Sequence, residues 1–187
     1  IVLEKRNQDG TIAKQVRVPI SFGPKEKFLV RKEADPGLDR PYAMSLPQMS
    51  FEMNGMVYAG DRKLSTNQRF VVPDGLDNTK FKSVWQPVPY DMNFQLNIMT
   101  RSYDDGTQIL EQILPFFTPD WTNTVTLVEN PEISMDVPLI LSGVSSLDTY
   151  ESDFQQRRTM IWTLDFVMKG WFFGPTSNKK IIKVSNT

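Results

Sequence analysis

Residues 89–119 read PYDMNFQLNIMTRSYDDGTQILEQILPFFTP, and this stretch decides the fold because its hydrophobic period changes halfway along. In the first half every second residue is apolar, which is the period of a strand with one buried face. These apolar positions are Tyr90, Met92, Phe94, Leu96 and Ile98. In the second half apolar residues recur at spacings of three and four, which predicts a helix with one apolar side. These are Ile109, Leu110, Ile113, Leu114 and Phe117. The stretch therefore predicts a strand that leads into a helix, with their apolar sides facing each other.

The turn between the two halves carries the signals of a helix start. Ser102 is placed to cap the helix, and Asp104 and Asp105 fall where the positive end of the helix dipole stabilises carboxylates. Two adjacent acids also suit a metal site or an acid–base pair, but their place in the first turn favours capping. Pro115 and Pro119 predict the end of the helix.

A second alternating segment predicts a strand that packs on this helix. Residues 158–168 place Met160, Trp162 and Leu164 on one side, so we expect Trp162 to be buried against the helix. The opposite face of the sheet is then polar, and we expect it to be solvated or shared with neighbours in an assembly. Its predicted members are Asn93, Gln95, Asn97, Thr159, Thr163 and Asp165.

The remaining segments give weaker patterns. Asp9-Gly10 predicts a hairpin turn between residues 1–7 and 12–22. We interpret residues 24–32 as a short helix and residues 137–144 as a buried strand. Residues 48–58 are interpreted either as two strands joined by a turn or as a short helix, and residues 121–129 either as irregular or as a short edge strand. Residues 59–79 are interpreted as an excursion that is mobile or ordered by a partner. The predicted fold class is α+β, with a mostly antiparallel sheet packed on one face by one main helix. Residues 1–187 are predicted to form a single domain with a loop-rich excursion at about 33–87.

Composition excludes several classes of chemistry. The chain of 187 residues has no cysteine and no histidine, which removes thiolate and imidazole catalysis and the usual zinc sites. No phosphate-binding, dinucleotide-binding or nucleophile-elbow motif occurs, and the loop aspartates lack calcium-loop spacing. We therefore expect no cofactor, no metal and no enzymatic activity. The sequence contains no run of 18 or more apolar residues, so it predicts no membrane span. Because the chain begins at Ile1 without methionine, we expect an N-terminal segment to precede it.

Three groups of residues are candidates for a partner interface. Trp171, Phe172 and Phe173 form an aromatic run that either completes the core or anchors another subunit. Arg157 and Arg158 either bind an acidic partner or are a charged lead into the strand that follows. Phe70 and Val71 form an apolar patch in an otherwise polar segment.

Three longer stretches resemble one viral protein family. They are VPISFGPKEKFLVR (18–31), LNIMTRSYDDGTQILEQILPFFTPDW (96–121) and RRTMIWTLDFVMKGWFFGP (157–175). They resemble the tail sheath stabilisers, or tail-completion proteins, of contractile-tailed bacteriophages of the myovirus kind. The resemblance implies a tail-terminator-like sandwich, six copies of which close into a ring.

The resemblance also implies where such a ring acts. The protein would be a structural virion protein at the tail–neck junction, assembled in the host cytoplasm. It would cap the tail tube and sheath at the head-proximal end and contact neck proteins. The formal charge of −1 suits a channel through which DNA passes without specific binding, because Lys and Arg contacts to phosphate dominate DNA affinity. We expect segments 59–79 and 171–183 to face sheath or neck.

Two other functions stay open. One is a tube-side tail terminator or another neck adaptor of the same fold, which would contact tube rather than sheath subunits. The more remote one is a carboxylate-dependent hydrolase, which needs two inward-facing acids at a set separation. The sequence instead places its acids in caps and turns.

Overall fold

The structure is a computed structural model that describes residues 1–6, 9, 11–26, 46–74, 77–129, 132–149 and 159–180. The strands are β1 Val2–Arg6, β2 Ile12–Arg17, β3 Ile20–Phe22, β4 Gln48–Tyr58, β5 Arg69–Asp74, β6 Asp77–Trp85, β7 Val88–Thr100, β8 Asp120–Glu129, β9 Glu132–Thr149, β10 Thr159–Phe172 and β11 Ser177–Lys180. Helix α1 spans Tyr103–Ile113, and 3-10 turns lie at Gly60–Arg62 and Leu114–Phe116.

The strands form three sheets. The largest has six strands in the order β3-β4-β7-β10-β9-β8, and β1-β2 is a separate hairpin. A third sheet has the order β11-β6-β5, and both of its pairings are antiparallel. The β3–β4 pair is parallel, with Ile20 opposite Met49.

The predicted α+β class is wrong, because the fold is mainly β. Among the residues that the structure describes, 67% lie in strands and 14% are helical. The prediction failed where strands are polar and exposed on both faces, since such strands show no apolar alternation. Strand β8, expected to be irregular or short, has ten residues and is exposed over most of its length. The segment 59–79, expected to be a mobile excursion, contains β5 and the start of β6.

The strand-to-helix unit is present as predicted. Ser102 is the N-cap, and its hydroxyl accepts a hydrogen bond from the Asp104 backbone N–H at 3.3 Å. Ile98 in β7, Ile109 in α1 and Leu164 in β10 are each 0% exposed. Local capping and an apolar helix face therefore operate here as the sequence indicates.

Aromatic contacts show which side of β10 the helix segment covers. Trp162 meets Tyr103 of α1 at 5.1 Å between ring centroids, and Phe166 meets Phe117 at the same distance. Trp162 is half-buried rather than buried, so that expectation is wrong, although the predicted contact with the helix is present. One edge of its indole lies against Gly106, where the helix has no side chain.

The opposite face of β7 and β10 carries the predicted polar residues. Thr163 donates a hydrogen bond to Asn97 Oδ1 at 3.0 Å, and Gln95 donates to Asp165 at 2.9 Å. Asn97 is nevertheless 0% exposed and Thr159 is 4% exposed. The polar face is thus buried rather than solvated at these two positions, and its sharing with neighbours in an assembly stays a prediction.

The hairpin of β1 and β2 is attached to α1 by two glutamines one helical turn apart. Gln112 accepts from the Val2 N–H at 3.1 Å and donates to the Val2 carbonyl at 2.8 Å. Gln108 makes the same pair of bonds to Glu4, each at 3.3 Å. The side-chain amides therefore satisfy the backbone groups of β1 that point away from β2, as a neighbouring strand would.

Residue contacts divide the chain into two compact units. The first comprises Ile1–Gly55, Asn93–Trp121 and Ile140–Val167, and the second comprises Met56–Met92, Thr122–Leu139 and Met168–Thr187. The first unit contains α1 and the fully buried Ile98, Ile109 and Leu164. The second contains the sheet of β5, β6 and β11. That residues 1–187 form a single domain stays a prediction. Of the predicted helix at 24–32, Lys25 and Glu26 are helical and the part after Glu26 lies outside the described residues.

Candidate functional site: an aromatic row and its arginine anchor

Three aromatic side chains of the second unit stand side by side, and we call them the aromatic row. Tyr58 ends β4, Tyr90 lies in β7 and Phe172 ends β10, which are adjacent strands of the large sheet. The Tyr58 and Tyr90 rings are 5.8 Å apart, and those of Tyr90 and Phe172 are 5.4 Å apart, both in edge-to-face geometry. Tyr58 is 45% and Phe172 44% exposed, so the row presents apolar area together with a phenol hydroxyl. Such side chains are enriched at protein interfaces.

An arginine holds the backbone beside the row in place. Arg62, at the end of the 3-10 turn, donates to the Asp91 carboxylate and, at 3.2 Å, to the Tyr90 carbonyl. Its guanidinium also lies 5.0 Å from the centroid of the Trp171 ring. Its side chain is 18% exposed and that of Asp91 30%, so this ion pair is partly shielded from water. The pair therefore fixes the turn, β7 and the start of the aromatic run relative to one another.

The Arg62 contacts are expected to contribute measurably to stability. Arg62→Ala removes charge-assisted hydrogen bonds and leaves the Asp91 carboxylate without its partner, so we expect a loss of about 1.5–3 kcal/mol in the free energy of unfolding. Chemical denaturation gives this value, and Arg17→Ala, at an exposed position of β2, is the matched control. Equal effects of the two substitutions would show that the Arg62 contacts contribute nothing specific.

The sheet of β5, β6 and β11 forms a second apolar surface in the same unit. Phe70 meets Phe173 at 6.4 Å between centroids, and the Arg69 guanidinium lies 3.5 Å from the centroid of the Trp85 ring. In β5, Phe70 is 37%, Val71 57% and Val72 41% exposed. An exposed strand of this composition is typical of a surface that meets another chain.

The predicted interface residues have different environments. Of the aromatic run, Trp171 is half-buried under Arg62, Phe172 is exposed in the aromatic row, and Phe173 is half-buried against Phe70. The run thus serves partly as packing and partly as surface. Phe70 and Val71 are exposed, whereas Arg157 and Arg158 lie outside the described residues. An interface role for all seven stays a prediction.

Sequence reasoning missed several residues of these surfaces. Arg62 and Trp85 belong to no periodic pattern, and the sequence indicates Tyr58 and Tyr90 only as members of strands. Their contacts join segments far apart in the chain, so local pattern carries no signal for them. An arginine beside turn residues and an aromatic at a strand end were the available hints.

The acidic side chains are the possible metal ligands among the described residues. No group of three or more Asp or Glu side chains there is arranged to hold a metal ion. The Asp105 carboxylate lies 3.9 Å from the Lys5 ammonium, and the backbone N–H of Asp104 donates to the Ser102 hydroxyl that caps the helix. Within the described ranges, no helix has the length and hydropathy needed to cross a membrane.

Comparison with known proteins connects the whole chain to one family. The family described as T4-like virus Myoviridae tail sheath stabiliser matches residues 1–187. Tail completion protein gp15 of Enterobacteria phage T4 is 27% identical over 172 residues, which cover 88% of this chain and 62% of that protein. The chain therefore spans less than two thirds of the length of this relative.

Proposed function

Because the chain belongs to the T4-like virus Myoviridae tail sheath stabiliser family, we propose that it is a structural protein of a contractile phage tail, forming a ring at the head-proximal end. The observation that carries this proposal is the family match over residues 1–187. The name of the T4 relative, a tail completion protein, supports an action at the end of tail assembly. In this role the protein caps tube and sheath, joins the tail to the neck and is part of the virion.

A ring of six copies suits this role. A sheath is an open helical polymer, so each layer leaves a surface on which another layer can add. A terminating ring presents such a surface on one side and a different one on the other. The exposed aromatic row supplies one such recognition surface, carried on packed strands rather than on loose loops.

Imaging of labelled virions tests the location. A small tag fused to the chain and detected with gold-conjugated antibody is expected at the junction of tail and head. Cross-linking in the same particles separates the two leading alternatives, because a sheath stabiliser reaches sheath subunits and a tube-side terminator reaches only tube subunits. A label at the distal end of the tail, or virions without label, would overturn the proposal.

The aromatic row gives a second test of the role. Tyr58→Ser combined with Phe172→Ser removes exposed rings, so we expect a folded protein whose tails lose their ordered head-proximal end or fail to join heads. Electron micrographs of particles from complemented infections give the fraction of tails that are joined to heads and have an ordered head-proximal end. Ile12→Ser with Val144→Ser, which are 52% and 42% exposed, is the matched control. Normal joining in the row variant would exclude the row as the contact surface.

The structure also changes which variant is informative. Deletion of residues 65–77 would remove β5, which pairs with β6 from Arg69–Trp85 to Asp74–Asp77. Point substitutions of exposed side chains are therefore preferable, since they leave the pairing of the sheet intact.

A further inference from the structure

Charge is unevenly distributed along this chain despite its near-neutral total. Residues 102–156 contain ten Asp or Glu and no Lys or Arg. The rest of the chain holds all 21 basic residues and 12 acidic ones, which gives a net charge of +9. Residues that are close in sequence need not share a surface. The acidic stretch does form one in part, because it includes the paired strands β8 and β9.

The acidic surface is the hairpin formed by β8 and the part of β9 up to Leu139, which we call the acidic hairpin. Its two arms run antiparallel, since Thr124 bonds to Asp136 and Thr126 to Ser134. The acids of this hairpin are Asp120, Glu129, Glu132 and Asp136, and all four are exposed. Neither arm of the hairpin contains a basic residue.

The outer arm of the acidic hairpin is an unprotected sheet edge. In the described part of the chain β8 pairs only with β9, and its ten residues include neither lysine nor proline, the residues that usually protect edges. Trp121 is 48% and Val125 38% exposed along it. A long edge with exposed apolar side chains favours association with another chain.

The sheet of β5, β6 and β11 has the opposite charge and an exposed apolar edge of its own. Its strands contain five basic and two acidic residues, a net charge of +3. Arg69 in β5 and Lys179 in β11 are both exposed, and β5 adds Val71 and Val72 at 57% and 41% exposure. Strand β5 forms one border of this sheet.

We propose that the acidic hairpin of one copy docks along β5 of the three-stranded sheet of the next copy, and that repetition of this contact closes the ring. The inference rests on the proposed ring and names the surfaces that form it. Charge complementarity and exposed apolar area on both partners support the contact. The two surfaces belong to different sheets of one molecule, so the contact is head-to-tail, the type that forms a ring when the rotation from copy to copy closes.

Two complementary charge-reversal variants test this contact. Variant A is Glu129→Lys with Glu132→Lys, and variant B is Arg69→Glu, in the docking strand β5 itself. Each alone places like charges across the contact, so we expect self-association to weaken by about tenfold or more relative to wild type. In an equimolar mixture every A–B contact has opposite charges, so an alternating ring closes and association returns. Mass photometry and sedimentation of the purified protein at low salt measure the masses.

The control and the outcomes separate this inference from the proposed function. Glu26→Lys with Glu111→Lys changes the net charge as variant A does, but outside the acidic hairpin, and is expected to associate like wild type. Undiminished association of A or B, or no recovery on mixing, would overturn the inference, since a misfolded variant is not rescued by another. A wild type that stays monomeric also overturns it, while labelled virions still decide the tail location. Rescue by mixing without label at the tail–head junction would sustain the contact and refute the location.

Discussion

Leu164→Ala is expected to lower the free energy of unfolding by about 2–5 kcal/mol. Leu164 lies in β10, is 0% exposed, and belongs to the first unit together with the equally buried Ile98 and Ile109. Truncation removes apolar burial and leaves a cavity that neighbouring strands cannot fill without moving. Urea denaturation monitored by tryptophan fluorescence measures the change through the shift in midpoint.

Leu147→Ala is the matched control for this prediction. It makes the same substitution in β9, where Leu147 is 60% exposed. Because little apolar area is lost there, we expect a change of about 0.5 kcal/mol or less. If both substitutions cost the same, Leu164 is not part of a packed core.

Trp162→Ala is expected to cost about 3 kcal/mol, the lower end of the range for removing a large aromatic side chain from a core. Trp162 loses its edge-to-face contact with Tyr103 and its packing on the helix. Two features reduce the loss in the free energy of unfolding. Trp162 is only half-buried, and its Nε1 is a buried donor for which the described residues provide no acceptor, so its removal also removes an unfavourable unpaired group. A thermal melt within a degree or two of wild type would contradict the prediction.

A double-mutant cycle with Gly106 shows whether Trp162 acts through the helix. A methyl group at Gly106 would collide with Trp162 Nε1 and lie 2.9 Å from Cδ1. Gly106→Ala should therefore cost about 1–3 kcal/mol through overpacking, partly offset by about 1 kcal/mol from the better helix propensity of alanine. In the double variant the methyl enters vacated space, so we expect less destabilisation than the sum of the two. Additive effects would show that the two positions do not touch.

The sequence alone was informative where structure is set by near neighbours. The change of period within residues 89–119, the cap at Ser102 and the apolar positions Ile98, Ile109 and Leu164 were predicted from spacing of a few residues. The resemblance in three stretches indicated the family that the comparison confirmed. These signals are local because helix and strand periodicity and capping each depend on residues within about one turn of one another.

Only the tertiary structure decided the balance of strand to helix and the make-up of the surfaces. Strand β8 alternates only weakly, so its hydrophobicity did not reveal a ten-residue strand paired with β9. The aromatic row gathers side chains from three adjacent strands, and the Arg62 contacts with Asp91 and Trp171 join separate segments. Sheet pairing is non-local, and the order of strands rather than the spacing of residues determines which side chains meet.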